Sequence, residues 1–286
     1  MLYKEGGSMG TSKIITVFNQ KGGVGKSTIC HNLAAILGKI NKPKHIRKEI
    51  DELEKFHVLL FDNDSSGDLT KLCGFDTEAF DLCAADLYYH NGIPNFSPVS
   101  CIYESGLENV DIIPGNGKLT TAARQIDSLP GKELILKKEL RALRELYDII
   151  IIDCGPSFGT LSYSALVAAD DVIVPVQTSH LAVDDTSAFE EVYSVIYDMG
   201  LNDNLTEENK LIVATLYNSQ TKDDKEALKI LQDAGCIGVV PSAIATRKGY
   251  KNGLPVVYSD PGCKVSRAFF ALADEVIKHC WPDGQN

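Results

Sequence analysis

Short apolar runs rich in β-branched residues alternate along this chain with stretches whose apolar residues recur every three or four positions. Residues 13–18 form the first such run, and residues 149–152 are wholly aliphatic, which is typical of a strand buried on both faces of a parallel sheet. Residues 27–37 place Leu33 and Leu37 on one helical face. This alternation predicts an α/β fold with a doubly wound, mostly parallel β-sheet and helices on both faces.

The same pattern gives the expected elements in chain order. Strands are predicted at residues 13–18, 57–62, 110–113, 148–153, 171–176, 211–217 and 236–240. Helices are predicted at residues 26–39, 44–55, 119–127, 131–146, 160–168, 184–199, 222–234 and 264–279. Because no linker, repeat or low-complexity block divides them, we expect a disordered lead-in at 1–12, one domain over 13–280 and a short tail at 281–286.

The segment between the first strand and the first helix carries the most informative chemistry. It reads Phe18-Asn-Gln-Lys-Gly-Gly-Val-Gly-Lys-Ser-Thr28. A strand, a glycine-rich loop and a helix in this order are the context of a phosphate-binding loop, whose backbone N–H groups close around phosphate oxygens. Lys26 is expected to reach the β- and γ-phosphates of a nucleotide, and the Ser27 hydroxyl to coordinate Mg²⁺.

Two later strands end in carboxylates. The first delivers Asp62 and Asp64, two residues apart, and the aliphatic run 149–152 ends in Asp153. Ligand chemistry in doubly wound sheets lies at the carboxyl ends of the strands. An aliphatic strand that ends in aspartate is the Walker B pattern, so Asp153 is expected to hold Mg²⁺, through water, opposite Ser27.

A second lysine inside the glycine loop, Lys21, narrows the family. Lys-Gly-Gly-Val-Gly-Lys-Ser-Thr resembles the deviant Walker A loop of the ParA/Soj/MinD ATPases, and the organisation is closest to the small ParA/Soj partitioning ATPases. In that family the extra lysine crosses the dimer interface to the partner's nucleotide, which implies this role for Lys21. The resemblance extends over residues 13–279.

Further segments carry the same resemblance. Asp62-Asn-Asp64-Ser-Ser-Gly-Asp-Leu-Thr70 is similar to the family's Asp-x-Asp-Pro-Gln-Gly-Asn-x-Thr, with two serines in place of Pro-Gln. It implies that Asp62 lies near the Mg²⁺ shell and that Asp64 orients the attacking water. After Asp153, Cys154 and Gly155 replace the family's Thr-Pro, and the missing proline gives this loop more freedom.

The resemblance implies three sets of site residues. The catalytic set is Lys21, Lys26 and Asp64, and the metal set is Ser27, Asp62 and Asp153. The nucleotide-binding set is Lys21, Gly22, Gly23, Val24, Gly25, Lys26, Ser27, Thr28, Asn218 and Pro241. Asn218 and Pro241 are placed beside the adenine by resemblance, and a turn role is the alternative for each.

Composition sets bounds on these expectations. The chain has 286 residues, of which 44% are hydrophobic and 23% charged, as in an ordinary folded domain with a core. No apolar run approaches the ~18 residues of a membrane helix, and no signal pattern begins the chain, so we expect a cytoplasmic protein without membrane attachment. None of the eight cysteines forms C-x-x-C, which argues against a zinc site or a redox pair.

The net charge of −11 argues against attraction of nucleic acid to the whole surface. Residues 241–270 nevertheless carry five basic residues against one acidic residue. The five are Arg247, Lys248, Lys251, Lys264 and Arg267. A solvated face is the commoner meaning of such a cluster. The resemblance makes it the predicted DNA-binding surface, shifted because Ala245 stands where many relatives have an arginine.

Residues 40–56 exceed the short turn that joins the corresponding elements in the family. Ile46, Ile50 and Leu53 recur at helical spacing after Pro43, which predicts a small surface helix. Contact with a partner or with DNA is the alternative role for this insertion.

The leading interpretation is therefore an ATP-dependent switch that partitions plasmid, chromosome or mobile-element DNA. ATP and Mg²⁺ would join two subunits into a homodimer, which binds DNA without reading its sequence until a ParB-like partner stimulates hydrolysis. We accordingly expect the protein to be associated with the nucleoid. A MinD-like positioning switch acting on a protein or membrane array is the alternative, and a metallocluster carrier of the same fold is the third.

Overall fold

The computed structural model describes residues 12–47, 53–90, 92–178, 184–242 and 253–282, which contain one eight-stranded sheet. Its strands are β1 Lys13–Val17, β2 Val58–Asn63, β3 Tyr103–Leu107, β4 Val110–Ile113, β5 Ile149–Cys154, β6 Asp171–Gln177, β7 Lys210–Tyr217 and β8 Gly238–Pro241. They lie in the order β3-β4-β2-β5-β1-β6-β7-β8, and only the pairing of β3 with β4 is antiparallel among those described. The predicted fold class is confirmed.

Helices follow most of the strands. They are α1 Lys26–Leu37, α2 Asp68–Leu72, α3 Ala84–Tyr88, α4 Lys118–Ile126, α5 Ile135–Leu143, α6 Thr160–Ala168, α7 Asp184–Asp198, α8 Lys222–Asp233, α9 Val256–Ser259 and α10 Lys264–Cys280. No helix in the described ranges is both long and apolar enough to cross a membrane.

The sheet separates two hydrophobic cores, as its alternating side chains require. Ile150 and Ile152 of β5 face the core that contains α4, α5 and α6. Ile149 and Ile151 face the other core, which contains α1 and α10. By the same alternation, the next residue on the α1 face of β5 is Asp153, so a carboxylate ends a fully apolar row.

Some predicted elements were wrong. The helix expected at 44–55 is absent from its described part, where a 3₁₀ turn spans Lys44–Ile46 and Lys55 pairs with Asn41 in a β-bridge. The helix expected at 131–146 is shorter, because Gly131 takes a left-handed φ of 72° and a 3₁₀ turn precedes α5. Strand β3 was missed, since an edge strand exposed on one side lacks a continuous apolar run.

The predicted lead-in falls almost wholly outside the described residues, as does most of the predicted tail. The division of the chain into lead-in, domain and tail stays a prediction.

The inserted segment is fastened to the amino end of the sheet. The buried Lys42 ammonium contacts Glu54 at 2.8 Å and Asp148, which precedes β5, at 2.7 Å. Phe56 packs against the Trp281 ring with centroids 5.0 Å apart. These contacts lie at the edge opposite the phosphate loop and give the insertion a structural role. The alternative, contact with a partner or with DNA, stays a prediction.

His31 is a buried polar residue inside α1. Its side chain is inaccessible to solvent, and neither ring nitrogen finds a hydrogen-bond partner among the described residues. Burial lowers the pKa of His31 to about 4. The ring is therefore neutral in the folded protein at neutral pH.

This burial predicts a specific loss of stability in acid. In the unfolded chain, His31 becomes protonated below its usual pKa of about 6.5. In the folded protein, His31 stays neutral down to about pH 4. Stability is therefore full above pH 6.5 and falls by about 3 kcal/mol as the pH drops to 4. Urea unfolding across this range should show a flatter pH dependence for His31→Leu, while His57→Gln at an exposed position should match the parent. Parallel pH profiles of parent and His31→Leu would contradict the assignment.

Candidate functional site

The loop between β1 and α1 depends on glycine for its path. Gly23 has a φ of 75° and Gly25 a φ of 94°, in the left-handed region that residues with a Cβ seldom occupy. Gly25 is the N-cap of α1, so the loop feeds directly into the amino end of a helix. Backbone N–H groups and the helix dipole favour an anion at this position.

Asn19 fixes the start of this loop, a role that the sequence analysis missed. Its side-chain amide donates to the Pro175 carbonyl at the end of β6 (2.8 Å), and its Oδ1 accepts from the N–H of Lys21 (2.8 Å). The Lys26 ammonium donates to the carbonyls of Asn19 (2.9 Å) and Lys21 (3.0 Å). Burial lowers the pKa of Lys26, and the nearby Asp153 opposes this change.

Asp62 lies at the carboxyl end of β2 and is fully buried. Both of its carboxylate oxygens accept hydrogen bonds. Oδ2 accepts from the N–H (2.8 Å) and the hydroxyl (2.6 Å) of Thr70, and Oδ1 accepts from the N–H of Asp64 (3.2 Å). Burial raises the pKa of Asp62 to about 6, against the hydrogen bonds from Thr70. Asp62 thus holds the loop that carries Asp64. Its predicted place near a metal ion stays a prediction.

Asp153 differs from its neighbour because neither of its oxygens meets a hydrogen-bond partner at bonding geometry in the described part of the chain. It pairs in register with Asp62 and with Val17 at the centre of the sheet. Burial raises its pKa well above the usual range, the charge of Asp62 adds to this, and Ser27 and Lys26 oppose it. A buried carboxylate without a partner is costly unless a cation satisfies it.

This arrangement fits a small divalent cation such as Mg²⁺. Ser27 and Asp153 supply the hard oxygen ligands that Mg²⁺ prefers, and Mg²⁺ commonly takes its other ligands from phosphates and water. No group of three or more His, Cys, Asp or Glu residues suited to a metal ion occurs within the described ranges.

One cleft of about 850 Å³ brings three loops together. Its walls are formed by residues 22, 23 and 25–28 of the phosphate loop, by residues 63–66, 68, 71 and 72, and by residues 155–157, 161 and 162. Asp64 lies half-buried between the loops. A Cβ at Gly155 would lie 3.2 Å from the Asp64 carboxyl carbon, so this glycine permits a close approach between the loops.

Other predicted site residues lie outside the described cleft walls. Asn218 is exposed, its N–H donates to Asp224 (2.7 Å), and its Oδ1 accepts from the N–H of Gln220 (3.1 Å), as in a turn. Pro241 ends β8 in register with Tyr217. Their adenine contacts stay predictions.

The predicted DNA surface is only partly described. Lys264 and Arg267 are exposed and lie one turn apart on α10. Arg247, Lys248 and Lys251 lie outside the described residues.

Comparisons with known proteins agree with this geometry. The AAA domain family AAA_31 matches residues 12–207. The sporulation initiation inhibitor protein Soj of Bacillus subtilis (strain 168) is 31% identical over 268 residues, covering 92% of this chain and 98% of that protein. The chromosome-partitioning ATPase Soj of Treponema pallidum (strain Nichols) is 29% identical over 279 residues, with 96% and 99% covered. The structure of cobyrinic acid a,c-diamide synthase from Mycobacterium smegmatis with bound ADP and magnesium superposes with a TM-score of 0.72 at 26% identity, covering 94% and 95%.

Gly115, in the loop after β4, is a second residue, after Asn19, that sequence reasoning missed. Its N–H donates to the Thr70 hydroxyl (2.9 Å), and a Cβ there would lie 2.5 Å from the Asp62 carbonyl oxygen and 2.7 Å from the Asp62 carboxyl carbon. Any side chain would therefore push against the residue that holds the Asp64 loop.

We expect Gly115→Ala to lower the free energy of unfolding by about 1–3 kcal/mol, because overpacking displaces the Asp62 backbone. Gly117→Ala is the matched control, since a Cβ at Gly117 meets nothing within 4 Å and its φ of −56° suits alanine. Thermal and urea unfolding of the two variants should differ clearly. Equal stability of the two variants would show that the contact at Gly115 carries no cost.

Proposed function

We propose that this chain, which belongs to the AAA_31 family and to its ParA/Soj/MinD-type P-loop ATPases, is an ATP-dependent switch that partitions DNA. One observation carries the proposal: a single cleft joins the phosphate loop, the Asp64 loop and the loop after β5, and Asp153, at the end of β5, is buried without a hydrogen-bond partner among the described residues. Partitioning agrees with the Treponema relative, a chromosome-partitioning ATPase.

The ligands that fit this cleft are ATP and Mg²⁺. The loop N–H groups and Lys26 would hold the phosphates, because Lys26 lies buried at the base of the loop. Mg²⁺, when bound by Ser27 and Asp153, neutralises phosphate charge. Asp64, which lines the cleft together with Asp68, would accept a hydrogen bond from the attacking water, while Asp62 holds the Asp64 loop in place.

Hydrolysis in such a site depends on positioning and on compensation of charge more than on covalent chemistry. Lys21 belongs to the same loop but does not belong to the cleft wall, and its backbone is fixed by Asn19. This placement supports its proposed role across a dimer interface, where its ammonium would meet the nucleotide of the partner subunit. ATP binding would thus couple directly to dimerisation.

DNA binding is the finer part of the proposal. Exposed Lys264 and Arg267 support it, and Arg247 and Lys248 extend the same basic stretch of sequence. Phosphate contacts of this kind bind duplexes regardless of sequence. The dimer would then reside on the nucleoid in the cytoplasm until a ParB-like partner stimulates hydrolysis. Failure to bind DNA would favour the MinD-like positioning switch.

Substitutions of the two loop lysines, Lys21 and Lys26, should affect ATP binding and dimerisation separately. We expect Lys26→Ala to weaken ATP binding by about 100-fold, because the phosphates lose a charged donor in a buried loop. Lys21→Ala should bind ATP within a few-fold of the parent, yet fail to dimerise with ATP. Titration with a fluorescent ATP analogue and sizing by light scattering measure the two properties, with Lys222→Ala as control. Parental affinity in Lys26→Ala would refute the nucleotide site, and normal dimers in Lys21→Ala would refute the cross-interface role.

Charge reversal tests the DNA surface. With Lys264 and Arg267 both changed to glutamate, ATP-dependent binding to unrelated duplexes should weaken uniformly, and the slope of log affinity against log salt should flatten by about two units. Lys222 and Lys225, two exposed lysines of α8, changed to glutamate give the same net charge and should leave the slope unchanged. The titrations are best run in the Asp64→Ala background with ATP, ADP and no nucleotide. If the slope of log affinity against log salt is the same in both double variants, Lys264 and Arg267 do not form the DNA-binding surface.

A further inference from the structure

The turn that carries Asp64 has a defined hydrogen-bond pattern. The N–H of Gly67 donates to the Asp64 carbonyl (3.0 Å), which closes a four-residue β-turn with Ser65 and Ser66 at its centre. The N–H of Ser66 donates to Asp64 Oδ1 (2.9 Å). Ser66 is not among the described residues with positive φ, so the turn is not type II and matches type I.

A type I turn favours proline at its second position, because the ring fixes the φ that this position needs. Here that position is Ser65, which is exposed, as is Ser66. When the turn is open, a serine backbone can adopt more conformations than a proline backbone, so closing the turn costs more conformational entropy with serine. The turn that carries Asp64, the proposed water-orienting residue, therefore lacks the proline that would stabilise its closed form.

Lys71 supplies a different restraint on this turn. Its ammonium donates to the Ser66 carbonyl (2.6 Å) from α2, directly after the loop, and lies 3.5 Å from Asp68. Its own backbone N–H donates to the Gly67 carbonyl (3.0 Å), which anchors the lysine to the turn. Ser66 is thus held on two sides, by Lys71 at its carbonyl and by Asp64 Oδ1 at its N–H. Lys71 also lines the cleft that the phosphate loop forms.

We propose that Lys71 is a positioning residue, which holds the Ser66 carbonyl and through Ser66 keeps the Asp64 carboxylate facing the cleft. The role deepens the proposed ATPase function and rests on it. Lys71 is more than half exposed, so its contact restrains the turn without contributing much to global stability. It acts on Asp64 and not on the phosphates, which distinguishes it from Lys26.

The test compares Lys71→Met, which keeps the aliphatic stem, with Lys71→Arg, which keeps the charge. Ser65→Pro alone and combined with Lys71→Met completes a double-mutant cycle, and Lys222→Met is the control at an exposed lysine. Two measurements are made on each full-length protein. Amide hydrogen exchange at Ser66 and Gly67 is followed without nucleotide, and kcat and KM for ATP are determined with Mg²⁺.

In Lys71→Met we expect exchange at these amides to rise, and kcat to fall, by about three- to tenfold, with KM for ATP within about twofold of the parent. Lys71→Arg should resemble the parent. Ser65→Pro should restore both exchange and kcat to Lys71→Met, since proline closes the turn without the lysine.

Three results would overturn the inference: unchanged exchange in Lys71→Met, faster exchange with unchanged kcat, or a raised KM with unchanged kcat, the last of which would place Lys71 on the phosphates. A parental protein that hydrolyses no ATP would instead refute the proposed function. In that event, the exchange measurement on nucleotide-free protein still decides whether Lys71 holds the turn.

Discussion

Two buried carboxylates meet at the carboxyl edge of the sheet, and much of the cleft is organised around them. The parallel register of β2 and β5 sets Asp62 beside Asp153, and strand alternation turns both toward the face that α1 covers. Burying two like charges side by side is unfavourable, and the pKa values of both are raised. The two carboxylates differ in their surroundings: protein hydrogen bonds satisfy Asp62, whereas both oxygens of Asp153 lack a partner among the described residues.

The loops around Asp62 and Asp153 are arranged by contacts with the Asp62 side chain and with Asp64. Thr70 binds Asp62 and accepts from the N–H of Gly115, so the start of α2 and the loop after β4 are joined at one hydroxyl. A Cβ at Gly115 would press on the Asp62 backbone, and a Cβ at Gly155 would lie 3.2 Å from the Asp64 carboxyl carbon, so both glycines leave room beside a carboxylate. The sequence predicted that Gly155 gives its loop more freedom. The structure adds what the sequence did not reveal, which is that Gly155 lies close to the Asp64 side chain.

The opposite edge of the sheet carries the structural polar contacts. Lys42 joins the inserted segment to Asp148, and buried Asp171 at the start of β6 contacts Lys13 (3.3 Å) and His279 (2.8 Å). The pKa of Asp171 is lowered: burial would raise it, but hydrogen bonds from His279 and Asn209 outweigh that. These ionisable groups at the amino edge are thus paired within the protein. Among the described residues, the buried Asp153 carboxylate at the carboxyl edge has no such partner, and ligand chemistry occurs at that edge in doubly wound folds.

The sequence by itself determined the fold class and the positions of the glycine loop and of Asp62, Asp64 and Asp153 at the ends of strands, because these depend on local patterns: periodicity, glycine spacing and a carboxylate after an apolar strand. The roles of these residues stay predictions. It overestimated the helix in the described part of 44–55, where His45 contacts the Trp281 carbonyl and Lys55 pairs with Asn41, contacts that helical spacing does not reveal. The roles of Asn19, Lys71 and Gly115 required the tertiary structure. Each acts through a partner on another element or across a turn, and the strand order and register that create such contacts are set by packing of the whole sheet rather than by any local pattern.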